Sequence, residues 1–365
     1  MSAYWLLLLY PFIGVLCPVR FSSDLRLVFW LVWIVVLSIF IGLRVDIGGD
    51  WANYADHYLR IAQDGYAAIG VARSFVFGIL YLISAQLGIQ IFGVNLIVGI
   101  IFSISLALFC RSRPFPWVAT FVAVPYLVIV VSLGYTRQSL AIACILLAIM
   151  AAEHDRLGRA MFWTAMGATI HVSALMFFGV LGLTFFKPVF SRAQKWMSSI
   201  GLSTWRRAAL LMIGLLVMGG LGLVIWDKVQ SLFEYYVHRD QWDSTGAKVR
   251  VLMNSVPAAV LLVAALRTRN HEIFGHQIWV WISVVSVAML VIVGSFSTMT
   301  DRLSLYLLPL QLHVWSSIPL LIKSSEVRST MIFGVCGAYA LVQFVWLNFA
   351  THAYQWVPYG NLLLQ

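Results

Sequence analysis

The stretch from Arg44 to Tyr54 combines an arginine, two carboxylates, a pair of glycines and two aromatic residues. Asp46 and Asp50 stand on either side of the glycine pair. Glycines allow a turn whose backbone N–H groups face a ligand, and a carboxylate in a partly dry site can take a proton as a general base. The stretch therefore predicts acid–base chemistry. The alternative is an ordinary loop at a membrane surface, with its arginine reaching lipid headgroups.

A second candidate is the pair Arg137 and Gln138, which opens a predicted apolar helix. The N-terminus of a helix carries unpaired N–H groups and the positive end of the helix dipole, so it favours anions. An arginine there adds a forked, permanently charged donor that matches phosphate oxygens. These residues predict an anion site, and an interfacial anchor is the alternative interpretation.

Two further candidates lie in apolar stretches. His171 is a lone ionisable residue, and ionisable groups inside a membrane are functional candidates. A break in the helix at His171 would turn it towards a cavity, whereas a satisfied core histidine is the alternative. Arg302 ends a polar stretch before an apolar run, and a simple ion pair with Asp301 is its alternative interpretation. Pro309 and His313 in that run predict a kinked helix facing a cavity.

A predicted outside loop at about 227–249 mixes aromatic and charged side chains, among them Tyr236, Arg239 and Trp242. Aromatic faces beside hydrogen-bonding groups suit the binding of sugars. The alternative is an amphipathic helix at the membrane interface, where Tyr and Trp are common.

The composition of the chain predicts which secondary structure holds these candidates. Of 365 residues, 61% are apolar and 10% are charged, whereas soluble chains have roughly 45–50% and 25%. A helix of about 20 apolar residues crosses a bilayer, and its backbone groups are satisfied internally. The sequence thus predicts an all-α, polytopic membrane protein with a single transmembrane domain, 1–365. About twelve spans are predicted, at 4–17, 27–43, 91–110, 115–133, 136–152, 159–171, 172–186, 207–226, 250–266, 277–295, 303–321 and 330–349.

The pair 159–171 and 172–186 is short for two crossings, which predicts a broken hairpin that turns near His171. Ser74–Gln90 is apolar but follows a polar stretch, which predicts a re-entrant or interfacial helix within an outside loop of about 44–90. The opening segment, Tyr4–Cys17, lacks a basic region and a cleavage site, so we expect a retained helix.

Charge supports this topology. The formal net charge is +10. With the N-terminus outside, the inside loops hold most of the Lys and Arg residues, as the positive-inside bias requires. Because anionic lipids also attract such loops, the charge does not indicate nucleic acid as a partner. The arginines left outside oppose the bias and are therefore the informative ones.

Several motifs are absent from the sequence. It has no Walker A loop, no HEXXH and no metal-spaced set of Cys and His. The four cysteines stand singly in apolar runs, so no disulfide framework is predicted. No D-x-D or E-x-D pair occurs in the predicted outside loops, which argues against metal-dependent glycosyl transfer. We expect no cofactor and no metal.

Taken in order, these motifs resemble the EpsG/Wzy family of polysaccharide polymerases. R-x-D-x-G-G-D-x-x-x-Y, from Arg44, is similar to the family's R-x-x-x-G-x-D-Y-x-x-Y. Thr136–Ala141 is similar to its R-Q-x-I-A helix start, and Ile170–Leu175 to its F-H-x-S-A-L element. The sequence departs in having Trp51 where Tyr is usual and a second acid at Asp46. The resemblance covers about residues 1–190.

The resemblance implies a polymerase that transfers a growing glycan from undecaprenyl diphosphate to a lipid-linked repeat unit, at the outer face of the bacterial cytoplasmic membrane. It implies membrane lipids, a chain-length regulator and a flippase as further partners. For such a reaction we expect Asp50, His171 or Asp46 to act as the base. We expect the diphosphate ligands to be Arg137, Arg44 and Arg302, with Arg239 and Arg250 as weaker candidates. We expect the sugar ligands to be Tyr54, Gln138, Trp242 and Tyr236.

Three other classes remain open. An O-antigen ligase or a GT-C-like lipid-linked glycosyltransferase would use a similar site with another acceptor or donor. A flippase for lipid-linked sugars has a matching number of spans, but internal repeats are typical of transporters and none is visible here. An acyltransferase would use a histidine within the membrane, which keeps His171 and His313 relevant to that class.

Overall fold

The computed structural model describes residues 1–17, 22–72, 74–199, 246–267 and 275–364. Within these ranges the chain is helical and forms no strand, apart from one isolated bridge between Arg44 and Asn361. The predicted all-α class is thereby confirmed for the part of the chain that the structure describes.

Before the turn at Tyr135, the described residues contain seven helical segments. They are α1 (Ser2–Leu16), α2 (Ser23–Gly42), α3 (Trp51–Asp64), a 3₁₀ segment (Gly65–Ala72), α4 (Phe75–Gln86), α5 (Gln90–Arg111) and α6 (Pro116–Ala123), which continues as a π-helix (Val124–Ser132). After the turn come α7 (Thr136–Glu153), α8 (Leu157–Ile170), a 3₁₀ turn (Val172–Leu175) and α9 (Met176–Ser199).

The C-terminal part of the described chain is more often interrupted. Its segments are α10 (Ala247–Arg267), α11 (Ile278–Ile292), α12 (Ser297–Ser304), a 3₁₀ turn (Leu305–Leu307), α13 (Pro309–Ser317), a second 3₁₀ turn (Ile318–Leu321) and α14 (Ser325–Phe349). Two short turns follow, Ala353–Gln355 and Leu362–Leu364.

Six helices of the described chain are long and apolar enough to cross a membrane. They are Ser23–Gly42, Gln90–Arg111, Thr136–Glu153, Val172–Val189, Ala247–Arg267 and Ser325–Phe349. Four more apolar helices are shorter: Ser2–Leu16, Phe75–Gln86, Pro116–Ser132 and Ile278–Ile292. The count of about twelve is not confirmed and stays a prediction. The predicted span 207–226 lies outside the described residues.

The core is built around α7 and the π-helix. Every residue of Val124–Ser132 is buried, and α7 is the most deeply buried of the six candidate spans. Pro125 lacks a backbone N–H donor, and local widening to a π-helix is a known response to a disturbed hydrogen-bond ladder. α7 packs between α5 and α8, while α6 contacts α1, α13 and α14. α7 is therefore enclosed by neighbouring helices.

α4 has the properties of a helix that does not cross. Its 12 residues extend for about 18 Å, well short of roughly 30 Å of hydrocarbon. Gly88 and Gln90, with φ of 67° and 55°, reverse the chain into α5. At its other end the Ser74 hydroxyl donates to the Thr169 carbonyl over 3.1 Å. The re-entrant or interfacial assignment of this segment stays a prediction.

The predicted kink after Arg302 is present, because two 3₁₀ turns interrupt this run of helix beside Pro309 and Pro319. That this helix faces a cavity stays a prediction. His313 is buried, and its Nδ1 lies 2.9 Å from Nη1 of Arg113. The helix packs this ring into a cluster at the far end of α7, since Arg113 also binds Glu153.

Candidate functional site

Arg44 follows α2 and lies inside the bundle, with 1% of its surface exposed. Its Nη1 donates to the Ile41 carbonyl over 2.5 Å, and its Nη2 donates to Oγ1 of Thr136 over 2.7 Å. The guanidinium carbon lies 5.7 Å from the centre of the Trp51 ring. Burial lowers the pKa of Arg44 to about 10, so the side chain is still charged at neutral pH. Its Nε has no hydrogen-bond partner among the described residues.

Arg137 lies in the first turn of α7, next to Thr136, which binds Arg44. Its Nη1 donates to the Ala72 carbonyl over 3.3 Å, and its backbone N–H donates to the Tyr54 hydroxyl over 3.4 Å. The guanidinium carbon is 5.9 Å from the Tyr54 ring centre. Burial, with the nearby negative charge of Asp50, raises the pKa of Tyr54. Nε of Arg137 is buried and has no partner among the described residues.

Arg302 reaches this region from α12. Its Nη1 donates to Oε1 of Gln138 over 3.2 Å, and its guanidinium carbon lies 4.8 Å from the Tyr135 ring centre. Gln138 is 2% exposed. Because the oxygen of its amide is engaged by Arg302, the amide nitrogen is left as a buried donor without a partner in the described chain. The structure thus joins the predicted third arginine to the predicted sugar-binding glutamine.

His171 lies at a break, as the sequence predicts. It has extended backbone angles, φ −146° and ψ 117°, between the end of α8 and a 3₁₀ turn. Its Nδ1 is 3.1 Å from the hydroxyl oxygen of Tyr306, and Arg137 and Arg302 lie within electrostatic range. Tyr306 was not found from the sequence. The available signal was its position four residues after Arg302, which places both side chains on one face of a helix.

The two predicted carboxylates lie in different environments. Asp46 is exposed and has a left-handed backbone, with φ of 52°. Asp50 is half-buried directly before α3, and its charge acts on both Tyr54 and Tyr135. Burial and the charges of nearby residues, Asp50 among them, leave the pKa of Tyr135 raised. Asp50 is therefore the carboxylate that the structure brings towards the arginines.

Gly48 packs against the junction between the π-helix and α7. Its φ is 101°, and a Cβ there would lie 2.5 Å from the Leu133 carbonyl oxygen. The prediction that its backbone N–H is free to face a ligand is wrong, because this N–H donates to the Gln355 carbonyl over 2.9 Å. The absence of a side chain at Gly48 instead lets its backbone pack closely against the backbone of Leu133.

The segment after α14 forms a wall of the site that the sequence reasoning did not identify. Gly360 accepts from the backbone N–H of Val45 over 3.0 Å, and Leu362 donates to the Leu43 carbonyl over 2.8 Å. The buried Trp356 donates from its indole to the Ile129 carbonyl over 2.8 Å. A Cβ on Gly134 would collide with the Trp356 ring. The Arg44 loop is thus held from two sides.

The remaining predicted residues are placed differently or lie outside the described chain. Arg250, in α10, forms an ion pair with Asp301 of α12. Tyr236, Arg239 and Trp242 lie outside the described residues. In the part of the chain that the structure describes, no cluster of three or more His, Cys, Asp or Glu side chains is arranged to hold a metal ion.

Comparison with known proteins gives one family. The model of the EpsG family matches residues 27–361, whereas no curated protein and no solved structure matches the chain. The match extends beyond residues 1–190, which the sequence motifs covered, and it takes in Arg302, Tyr306 and Trp356. With its several long apolar helices, the chain is a membrane protein of a polysaccharide-biosynthesis family. The chain belongs to the EpsG family.

Proposed function

We propose that this protein is a Wzy-type polymerase with about twelve spans in the bacterial cytoplasmic membrane. It transfers a growing glycan from undecaprenyl diphosphate to a lipid-linked repeat unit, at a site facing the outside. The energy comes from cleavage of the bond between the sugar and the diphosphate, so the reaction needs no nucleotide and, on this proposal, no metal. A chain-length regulator and a flippase of the same pathway are the proposed partners.

The observation that carries the proposal is a set of buried donors that lack an acceptor. They are Nε of Arg44, Nε of Arg137 and the amide nitrogen of Gln138, each without a partner among the described residues. A buried donor left unpaired costs about 1–3 kcal/mol, so such groups are normally satisfied by a ligand or by water. The oxygens of a diphosphate and the hydroxyls of a sugar are acceptors that match this set.

Charge points to the same ligand. Among the described residues, neither Arg44 nor Arg137 forms an ion pair with a carboxylate. Both instead bind neutral oxygens of Ile41, Thr136 and Ala72. A buried cation is normally paired, and a lipid diphosphate supplies the missing negative charge. Arg250 is a weaker ligand on this proposal, because Asp301 already balances its charge.

In the proposed reaction, the hydroxyl of the acceptor sugar attacks the anomeric carbon of the donor. A new C–O bond forms, the bond from that carbon to the diphosphate oxygen breaks, and Asp50 or His171 takes the hydroxyl proton. Arg44, Arg137 and Arg302 stabilise the charge that grows on the departing diphosphate, which is where preorganised cations have their largest effect. Arg239 is a further proposed diphosphate ligand.

The sugar ligands are proposed separately. Gln138 offers its amide N–H groups to a sugar hydroxyl, and Tyr54 borders the same space beside Arg137. Trp242 and Tyr236 are proposed to stack on sugars from the 227–249 loop. Asp46, the third proposed base, is the weakest of the three because it is exposed.

The test is a reconstituted reaction. The purified protein in lipid is given a synthetic undecaprenyl-diphosphate-linked repeat unit without nucleotide, and the products are resolved on a gel. We expect a ladder of longer lipid-linked glycans, reduced about 100- to 1000-fold in rate by Arg137→Ala, as for the loss of one preorganised donor. Arg60→Ala is the matched control, since Arg60 is an exposed arginine paired with Asp56 on α3.

Two outcomes would contradict the proposal. A single unextended band with several native repeat units would instead favour a ligase that lacks its acceptor, or a flippase. A ladder that is equally strong with Arg137→Ala would show that the arginine is not a diphosphate ligand. A comparable loss with Arg60→Ala would point to general damage from removing positive charge.

A further inference from the structure

We propose that Tyr306 is a positioning residue that holds His171 as the general base of the transfer. The inference rests on the proposed function and adds to it the choice between His171 and Asp50. It is carried by the contact between the Tyr306 hydroxyl and the imidazole and by the places of both residues in the fold.

Tyr306 and Arg302 belong to the same short segment of the chain. The two residues are four apart, across the junction of α12 with the 3₁₀ turn Leu305–Leu307. This spacing places both on one face of a helix. Arg302 there binds Gln138, while Tyr306, which is fully buried, lies 3.1 Å from His171 Nδ1. One short segment therefore serves both the proposed diphosphate clamp and the proposed base.

The backbone of His171 is held on both sides. Its N–H donates to the Gly167 carbonyl over 2.9 Å, and its carbonyl accepts from Ala174 over 3.0 Å. The nearby Thr169 carbonyl is bound by the Ser74 hydroxyl. With the main chain fixed, the rotation of the ring about its own bonds is the remaining freedom, and the contact with Tyr306 limits it.

The contact is compatible with the tautomer that a base needs. A neutral imidazole has one N–H donor and one acceptor nitrogen, and the hydrogen bond of one nitrogen determines the state of the other. When Nδ1 carries the proton and donates it to the Tyr306 oxygen, Nε2 presents its lone pair. No described residue forms a hydrogen bond with Nε2.

The proton balance of the step is then complete. As the acceptor oxygen bonds to the anomeric carbon, its proton passes to Nε2, and the electrons of the breaking bond leave with the diphosphate. Burial disfavours the imidazolium that forms, and the charges of Arg137 and Arg302 repel it. A diphosphate bound by these arginines offsets the repulsion, so the base works best when the donor is in place.

The experiment compares initial rates for wild type, His171→Gln, Tyr306→Phe and the double variant in the reconstituted extension reaction. We expect Tyr306→Phe to lower kcat about tenfold and His171→Gln about 100-fold or more, within the range of general-base contributions. KM for the lipid donor should change less than about twofold, because Tyr306 does not touch the diphosphate on this proposal. The double variant should be no slower than His171→Gln, since residues acting as a unit are not additive.

Tyr339→Phe is the matched control. Tyr339 is also buried and donates its hydroxyl to Oε1 of Gln311 over 2.5 Å, outside the proposed site. Its variant should extend glycans at the wild-type rate.

The inference is overturned if Tyr306→Phe has the wild-type kcat, or if it slows His171→Gln by a further tenfold. It is also overturned if His171→Gln stays active while Asp50→Asn does not. In these cases wild type still makes the ladder, and the proposed function stands. A wild-type protein that makes no ladder rejects the proposed function and the inference together.

Discussion

The two ends of α7 place arginines in opposite electrostatic settings. Arg137 lies in its first turn and Glu153 at its last residue, 16 positions apart, which is about 24 Å along the helix. At the Glu153 end, Arg113 is 6% exposed. At the Arg137 end, Arg44 is 1% exposed. Burial alone therefore does not distinguish the two environments.

At the Glu153 end of α7, the charge of Arg113 is balanced by residues of the protein itself. Nη1 and Nη2 of Arg113 donate to the two carboxylate oxygens of Glu153 over 2.7 and 2.5 Å. Trp279 donates to the same carboxylate over 2.8 Å and stacks on His313 at 3.9 Å between ring centres. A two-pronged pair of this kind is a strong charge-assisted contact, and it leaves no net charge for a ligand.

The Arg137 end keeps its charge. Arg44 and Arg137 are bound by neutral oxygens, and each has a buried Nε without a partner among the described residues. The partners of a buried arginine, and not its burial, therefore distinguish a structural residue from a candidate ligand of an anion.

The largest effect is expected at Arg44. Arg44→Ala should lower kcat/KM about 100- to 1000-fold, because a preorganised cation is lost from the diphosphate. Arg44→Lys should recover little, since one ammonium lacks the planar fork that reaches both Ile41 and Thr136. The measurement is the rate of ladder formation per folded protein. Near-wild-type rates for Arg44→Ala would remove the proposed distinction between the two ends.

The next effect is on stability at the other end. Arg113→Ala should lower the free energy of unfolding by about 3 kcal/mol, because Glu153 is left without its partner in a mostly buried position. Thermal unfolding in detergent measures the change. Activity per folded molecule should be unchanged. Replacing both partners, with Arg113→Met and Glu153→Leu, should restore most of the stability, and a failure to do so would give this cluster more than a structural role.

A smaller effect is expected from Trp356→Phe, which tests the wall that supports Arg44. The variant keeps a ring but leaves the Ile129 carbonyl without its donor, at a cost of about 1 kcal/mol. A loosened loop should appear as a several-fold rise in KM for the lipid donor with little change in kcat. The exposed Tyr354 provides the control, as Tyr354→Phe. An equal rise in KM for both variants would argue against a specific support.

The smallest effect is expected from removing metal ions. If Arg44, Arg137 and Arg302 balance the diphosphate, treatment with EDTA should leave the extension rate unchanged, as should later addition of Mg²⁺. The rate is measured in the same ladder reaction. If EDTA lowers the extension rate and Mg²⁺ restores it, a metal ion provides part of the charge compensation that is assigned here to the arginines.

Much of the candidate site could be predicted, because charged residues are rare in this chain and each one in or near an apolar segment is a candidate for function. Arg44, Arg137, His171 and Arg302 were found in this way, and their motifs gave the family that the match over residues 27–361 confirmed. Tyr306 could not be found so directly. A tyrosine in an apolar run is common in membrane proteins, and only its contact with His171 distinguishes it.

Composition and short motifs are local properties, and they were enough to predict the all-helical class, the family and the charged candidate residues. Which charges are balanced is visible only in the folded chain: Arg250 by Asp301 and Arg113 by Glu153, but neither Arg44 nor Arg137 within the described residues. Folding also brought Gly360 to Val45. The reason is physical, because a partner distant in the sequence is chosen by packing, and no local pattern records that choice.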